Sequence, residues 1–361
     1  MTDVMALVEG YEGYIDPEHF EHVMDGVIDT VAGAESLNGT YTWAQNYLYG
    51  CLDASDVLKE QKIGGMENMI TDGLKAMWDY IVRLFKNIWG FFFGSGDDSA
   101  GGSVAKAEKK VKENKAELEE TVAPKNEEQV KKATGRIKAK AAKIKNDPKA
   151  SSADKAKAEK IHQRIVDSAT GKGNEPKGAA MREMLVELAT ATQEADTQKL
   201  QGALDGLDAR VKTIIKMYTV GSKTDHAGEV KDTQLAMKYQ GERNTLGETF
   251  QRLMDSSGYK ALMKASTLDQ LLAGQKEILT MLETAKANNE YYKRQKNDAD
   301  REVGALKSLM SIGTPSEELK QKLREMKTWG SLIFSAKQQM ELYVKACEKV
   351  SDALNVYAGV K

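Results

Sequence analysis

The feature that most constrains this chain is a gap. From Gly94 to Met217 there is no Phe, Tyr or Trp, although the whole sequence holds 24 aromatic residues. A stretch of that length without rings cannot fill a broad globular core. It can build slender helices whose seams need only Val, Ile, Leu and Ala. Within the gap, Val104, Val111 and Leu118 recur every seven residues, and so do Val130, Ile137 and Ile144. Between the two series lies Ala123-Pro124-Lys125-Asn126, with Asn126 and Gln129 in capping-box register. The spacing predicts a Lys-rich helical hairpin with a thin, Ala-rich seam. Asp147-Pro148 ends it, and Ser151 with Asp154 opens a further helix to about Ala169.

Beyond the gap the helical period continues. Met184, Leu185, Leu188, Leu200, Leu204, Leu207, Val211, Ile214 and Tyr218 predict one helix over residues 178–219, bent near Asp196. Another is expected over about 227–255, ending before Ser257-Gly258. Thr267 and Gln270 can cap a long helix that ends at Ile312-Gly313, and Thr314-Pro315-Ser316-Glu317-Glu318 restarts one that runs to about Tyr357. Each spans roughly 65 Å at about 1.5 Å per residue, and so short a connection makes them antiparallel. Gly274 and Gly304 are weak points of the first. No alternating strand pattern competes. The expected fold class is all-α: an elongated helical bundle with long antiparallel C-terminal helices and a small acidic N-terminal helical region.

Charge divides the chain as sharply as the aromatics do. Residues 1–100 hold 17 acids and 5 bases, and the first 58 residues contain no Lys or Arg, while the net charge of the whole is only −2. An acidic head on a basic body can attract its own other half, a neighbouring copy or a basic ligand. The expected organisation is an acidic region over 1–93 and a Gly/Ser linker over 94–103. A Lys-rich hairpin region over 104–175 and a long-helix bundle over 176–361 follow.

The acidic region ends in the most distinctive segment, residues 66–93. Its apolar residues return in steps of three and four along one helical face, with Asp72, Lys75, Asp79, Arg83 and Lys86 largely on the other. Trp78, Ile81, Phe85, Ile88, Trp89 and Phe92 are the residues expected to meet a membrane or a partner, because a broad aromatic face flanked by cations is what an interfacial helix needs. The same face suits the core of a small N-terminal domain.

Residues 131–160 carry 11 bases and 3 acids. Lys131, Lys132, Arg136, Lys138, Lys140 and Lys143 are the candidates for nucleic-acid backbone contact. With no ring to stack on bases, and Lys outnumbering Arg, contact there would be sequence-independent. The alternative is a solvated Lys-rich face. His19 and His22 lie three apart, close to Glu18 and Asp25, but a third ligand at a firm spacing is missing, so no metal site is assigned. The nucleotide-binding, zinc-protease and serine-hydrolase signatures are absent, no run of apolar residues is long enough for a conventional transmembrane helix, and Met1-Thr2-Asp3-Val4 lacks the start of a secretory signal. Cys51 and Cys347 cannot form a disulfide framework and fit a reducing compartment. The expectation is a non-enzymatic protein without a cofactor or a small-molecule substrate.

The order of parts carries a resemblance. An acidic region leads into the helix Gly73–Phe93, then a Gly/Ser break, then a long Lys-rich helical body. This layout resembles the internal head and other virion structural proteins of large tailed bacteriophages. The resemblance implies a protein made in the host cytoplasm, packaged inside the capsid with the genome, touching other virion proteins or itself, and clipped after Glu by a prohead protease. Leu7-Val8-Glu9 before Gly10 fits such a cleavage site, as do Leu58-Lys59-Glu60, Leu118-Glu119-Glu120, Leu185-Val186-Glu187 and Leu246-Gly247-Glu248. Two other classes stay open beside it. One is a membrane-active α-helical protein that inserts residues 66–93, and the other is a coiled-coil adaptor.

Overall fold

The computed structural model describes residues 100–171, 176–191, 194–218, 240–311 and 317–360, together with Glu21, Met24, Asp25 and Ile28. The 66–93 helix and its six expected contact residues lie outside the described residues, as do His19 and His22. Among the described residues every regular element is a helix, and the fold is an all-α helical bundle. The elements are α1 (Ala100–Val122), α2 (Glu127–Asn146), α3 (Ser152–Ala169), α4 (Ala179–Thr190), α5 (Glu194–Tyr218), α6 (Gln240–Asp255), α7 (Ser257–Leu262), α8 (Leu268–Ser311) and α9 (Glu317–Ala358).

Local chemistry sets most of these boundaries. Asn126 caps α2 by accepting from the Gln129 N–H at 2.9 Å, while Gln129 Oε1 reaches back to the Lys125 N–H at 2.8 Å. Ser151 caps α3 by accepting from the Asp154 N–H at 3.1 Å. Thr267 and Gln270 complete a reciprocal box before α8, with bonds of 3.1 and 3.4 Å. Three expected boundaries shift. The last residues of the expected Gly/Ser linker are helical, because α1 begins at Ala100. The single helix expected over 178–219 is two, α4 and α5; Thr190 Oγ1 donates to the Glu187 carbonyl at 2.8 Å and competes with the backbone where α4 ends. The extra short helix α7 exists because Ser256 accepts from the Tyr259 N–H at 3.1 Å.

The chain divides into two compact units. One comprises Met1–Gly102, Thr219–Asn244 and Asn288–Gln338, the other Ser103–Tyr218, Thr245–Ala287 and Gln339–Lys361. The hairpin region and the last residues of the chain therefore share a unit, although the sequence sets them in separate segments. In the first unit, Leu306, Leu319, Leu323 and Met326 are buried, Lys322 pairs with Glu302, and Lys327 reaches Asp25 at 2.6 Å.

The second unit is built on an aliphatic seam. In α1, Val104, Ala107, Val111, Asn114, Leu118 and Thr121 are all buried and follow one another in steps of three and four. Leu268, Leu271, Gln275, Ile278 and Leu282 do the same in α8, as do Tyr343, Cys347, Val350, Leu354 and Tyr357 in α9. Phe250 of α6 meets Tyr343 edge to face, with centroids 5.4 Å apart, and the Tyr343 hydroxyl donates to the Met281 carbonyl at 2.8 Å. Gly274 is less a weak point of α8 than a contact: a Cβ there would lie 2.9 Å from Leu262 Cδ1 and 3.2 Å from Leu354 Cδ1.

Four polar residues interrupt this apolar seam and satisfy one another. Asn114 Nδ2 donates to Ser351 Oγ at 2.8 Å, and Ser351 Oγ donates to Gln275 Oε1 at 2.6 Å. Gln275 Nε2 donates to Asn355 Oδ1 at 2.9 Å and to the Ser351 carbonyl at 2.8 Å. Asn355 Nδ2 closes the ring on the Asn114 carbonyl at 2.9 Å. Gln275, Ser351 and Asn355 are wholly buried. Such a layer penalises any slip, because a shifted register leaves amides buried without partners. Around its rim, Lys110 pairs with Asp352 at 2.7 Å, and Glu108 pairs with Lys112 and Lys286. These pairings set α1 parallel to α9 and antiparallel to α8.

Replacing Gln275 by Ala removes the acceptor of Ser351 and the donor to Asn355. Urea unfolding should show a loss of about 3 kcal/mol, whereas Gln251→Ala, which removes only an exposed bond to Asp255, should stay within about 0.5 kcal/mol.

Candidate functional site

The sequence places its nucleic-acid candidates on α2 and its approach, and the structure sorts them by helical face. The buried stripe of α2 is Val130, Ala133, Ile137, Lys140, Ala141 and Ile144. It packs on α3, whose inner residues are Ala158, Ile161 and Ile165, and on α4. Residues outside that stripe meet solvent or charged neighbours.

Lys131 and Lys138 are exposed, and no ion pair reaches them among the described residues. Lys132 is exposed too but holds Glu128 at 2.8 Å, one turn back. The pairing lowers the Glu128 carboxyl below its ordinary range and raises the Lys132 ammonium. Arg136 is half-buried. Its guanidinium donates to Thr121 Oγ1 at 2.9 Å and to the Glu117 carbonyl at 3.3 Å, with the Glu117 carboxylate at 3.6 Å, so it ties α2 back to α1. Lys143 reaches out to Asp196 of α5 at 3.4 Å.

Lys140 departs furthest from the expectation. It is buried, its ammonium donates to the Tyr357 carbonyl in the last turn of α9, and it lies 5.9 Å from the Tyr357 ring centroid. Its stem covers Gly359, which has φ +77° and leaves no room for a Cβ beside Lys140. There the helix closes with a Schellman turn, the Val360 N–H on the Asn355 carbonyl at 2.9 Å and the Gly359 N–H on the Val356 carbonyl at 3.0 Å. Lys140 is thus a cap on the end of α9 and cannot reach a phosphate without leaving it. Its place on the stripe is readable in retrospect, since 133, 137, 140 and 144 follow steps of four, three and four. Burial lowers its ammonium from 10.5 to about 8, against the pull of Asp196 and with the push of Lys143.

Further positive charge without an ion pair lies beyond those candidates. Lys149, Lys157 and Lys160 are exposed without ion pairs among the described residues. Sequence reasoning named none of them, because a count of bases does not separate paired from unpaired ones. Lys145 is taken by Glu159 at 2.6 Å, and Arg164 stands 3.8 Å from both Glu183 and Glu187 of α4.

Two further groups hold structural positions. Cys347 is buried and burial pushes its thiol up, away from the thiolate form. The Tyr259 hydroxyl donates to Asp208 at 3.0 Å and joins α7 to α5. No group of three or more His, Cys, Asp or Glu side chains is placed to hold a metal, and no helix is long and apolar enough to cross a membrane, among the described residues. Compared with family models, curated proteins and solved structures, the chain matches none.

The Lys140 cap has a pH signature. Above about 8 the folded chain releases the Lys140 proton while the unfolded chain keeps it up to about 10.5, so stability should rise with pH across that window. The rise is on the order of 3 kcal/mol. Lys140→Met should flatten it, read as the difference in urea midpoint between the two proteins at each pH.

Proposed function

We propose that this chain is a non-enzymatic structural protein of a bacteriophage particle, held inside the head beside the genome and built to contact other virion proteins or itself. The observation that supports this best is the division of labour in the second unit. Its interior is committed to aliphatic seams and a closed amide ring that join α1, α8 and α9, and its helices α2 and α3 carry exposed lysines that no ion pair reaches among the described residues. A helical framework that carries exposed lysines suits a compartment filled with polyanion. The layout of the sequence, with its acidic region, aromatic helix and Gly/Ser break ahead of that body, supports the same reading. In it, the protein is made in the host cytoplasm and the face of Trp78, Ile81, Phe85, Ile88, Trp89 and Phe92 docks to a partner or to a membrane during delivery.

Fractionation of the native source into DNA-containing particles, membranes and soluble material, with intact mass in each, tests the proposal. The chain should be found in the particles, at 39.8 kDa or shortened after an N-terminal Glu. Recovery in the membrane fraction alone would favour an inserting helix at 66–93, and recovery only as soluble protein would favour a coiled-coil adaptor.

A further inference from the structure

We propose that the stretches of α8 and α9 that belong to the first unit, residues 289–306 and 319–331, form a release element: they open together while the second unit stays folded. The device is built from buried polar groups that the fold leaves without partners.

Three observations carry it. First, the two units treat buried polar atoms differently. In the second unit the four members of the ring satisfy one another, and the buried Thr121 hydroxyl donates to the Glu117 carbonyl at 2.7 Å. In the first unit Asn289 is 5% exposed and Ser331 9%, yet Asn289 Oδ1 and Ser331 Oγ have no hydrogen-bond partner. Asn244 Oδ1, in the part of α6 that belongs to the first unit, is buried without one as well. Among the described residues the second unit holds one such atom, Gln339 Oε1, at the residue where α9 enters it. A buried polar atom that leaves water and gains no partner shifts the ratio of closed to open chain by roughly ten-fold or more toward open.

Second, Asn289 stands where an apolar residue is expected. The buried stripe of α8 runs through Gln275, Ile278, Leu282, Ala285 and Asn289 in alternating steps of three and four. Gln275, two heptads earlier on that stripe, is also an amide, and it holds both Ser351 and Asn355. Asn289 repeats the residue type at a seam position without a partner for its carbonyl oxygen.

Third, α8 and α9 are tied by charge in the first unit. Lys322 of α9 pairs with Glu302 of α8, and Glu325 stands 3.5 Å from the same ammonium. All three side chains are largely withdrawn from water, so the loss of their hydration offsets much of their attraction. The second unit joins the same two helices by neutral bonds, Gln275 to the Ser351 carbonyl and Tyr343 to the Met281 carbonyl, both at 2.8 Å. Opening of the first-unit stretches uncovers Leu306, Leu319, Leu323 and Met326 and leaves that neutral layer in place.

The test is hydrogen exchange of the full chain in urea below its global transition, because exchange reports which segments open together and how often. Amides of 289–306 and 319–331 should exchange through one shared opening, at least roughly ten-fold more populated than the opening of 104–122 and 344–358. Equal protection in the two sets would overturn the proposal. The decisive variants run against the usual sign of a core substitution. Asn289→Leu keeps the shape of the side chain and Ser331→Ala removes one atom, and each deletes a polar group that has no partner. Either should slow exchange across 289–306 and 319–331 by roughly ten-fold and leave 104–122 and 344–358 unchanged. Exchange in 289–306 and 319–331 that is unaltered or faster in both variants would overturn the assignment, as would a slowing shared equally by the second unit. None of these outcomes depends on whether the chain is found in particles.

Discussion

The second unit depends on a ring of hydrogen bonds closed through Asn114, Ser351, Gln275 and Asn355. Each of these residues occupies a position that an apolar side chain could fill, and apolar packing alone tolerates sliding of one helix along another. The ring does not, because its donors and acceptors meet in one alignment only. It also spans a large sequence distance, joining α1 to the end of α9. Once that alignment is set, the rest of the hairpin is aimed. Arg136 ties α2 to α1, Lys140 sits over the last turn of α9, and Lys145 draws α3 against α2.

The hairpin shows how one residue type is given opposite tasks by position. Lys140 and Lys138 are two residues apart. One falls on the buried stripe and spends its charge on a helix-terminal carbonyl, where the aligned peptide dipoles favour a cation even as burial opposes it. The other falls on the opposite edge and keeps its charge in water. Between the extremes, Lys132, Lys143 and Lys145 hold partners that cap or clamp. Individually these exposed pairs contribute little to stability. Their effect is on the surface field, since each cancels one nearby acid.

What the sequence reveals and conceals follows the range of the interactions. The seven-residue series from Val104 and Val130 and the caps at Asn126, Ser151 and Thr267 are short-range patterns, and they appear in the structure where the spacing puts them. The polar members of the seam are local in position but not in meaning. Asn114 stands at a seam position between Val111 and Leu118, and only its partners on the distant helix α9 show why a polar residue is tolerated there. The grouping of residues 103–218 with 339–361 is invisible for the same reason, since composition changes along the chain while packing does not follow chain order. Lys140 could have been assigned from its steps of three and four, but a count of positive charge hides it. The end of α4 at Thr190 is set by a side chain bonding its own backbone, which periodicity does not register.

The central claim is that α1 and the end of α9 form one cooperative core. Hydrogen exchange of the full chain under native conditions tests it most directly, because protection reports which segments open together. Amides of Val104–Val122 and Val344–Ala358 should be the slowest to exchange in the second unit and should be lost together as denaturant is added. Protection that persists in Val344–Ala358 while Val104–Val122 exchanges freely, as an isolated helix would, would contradict it.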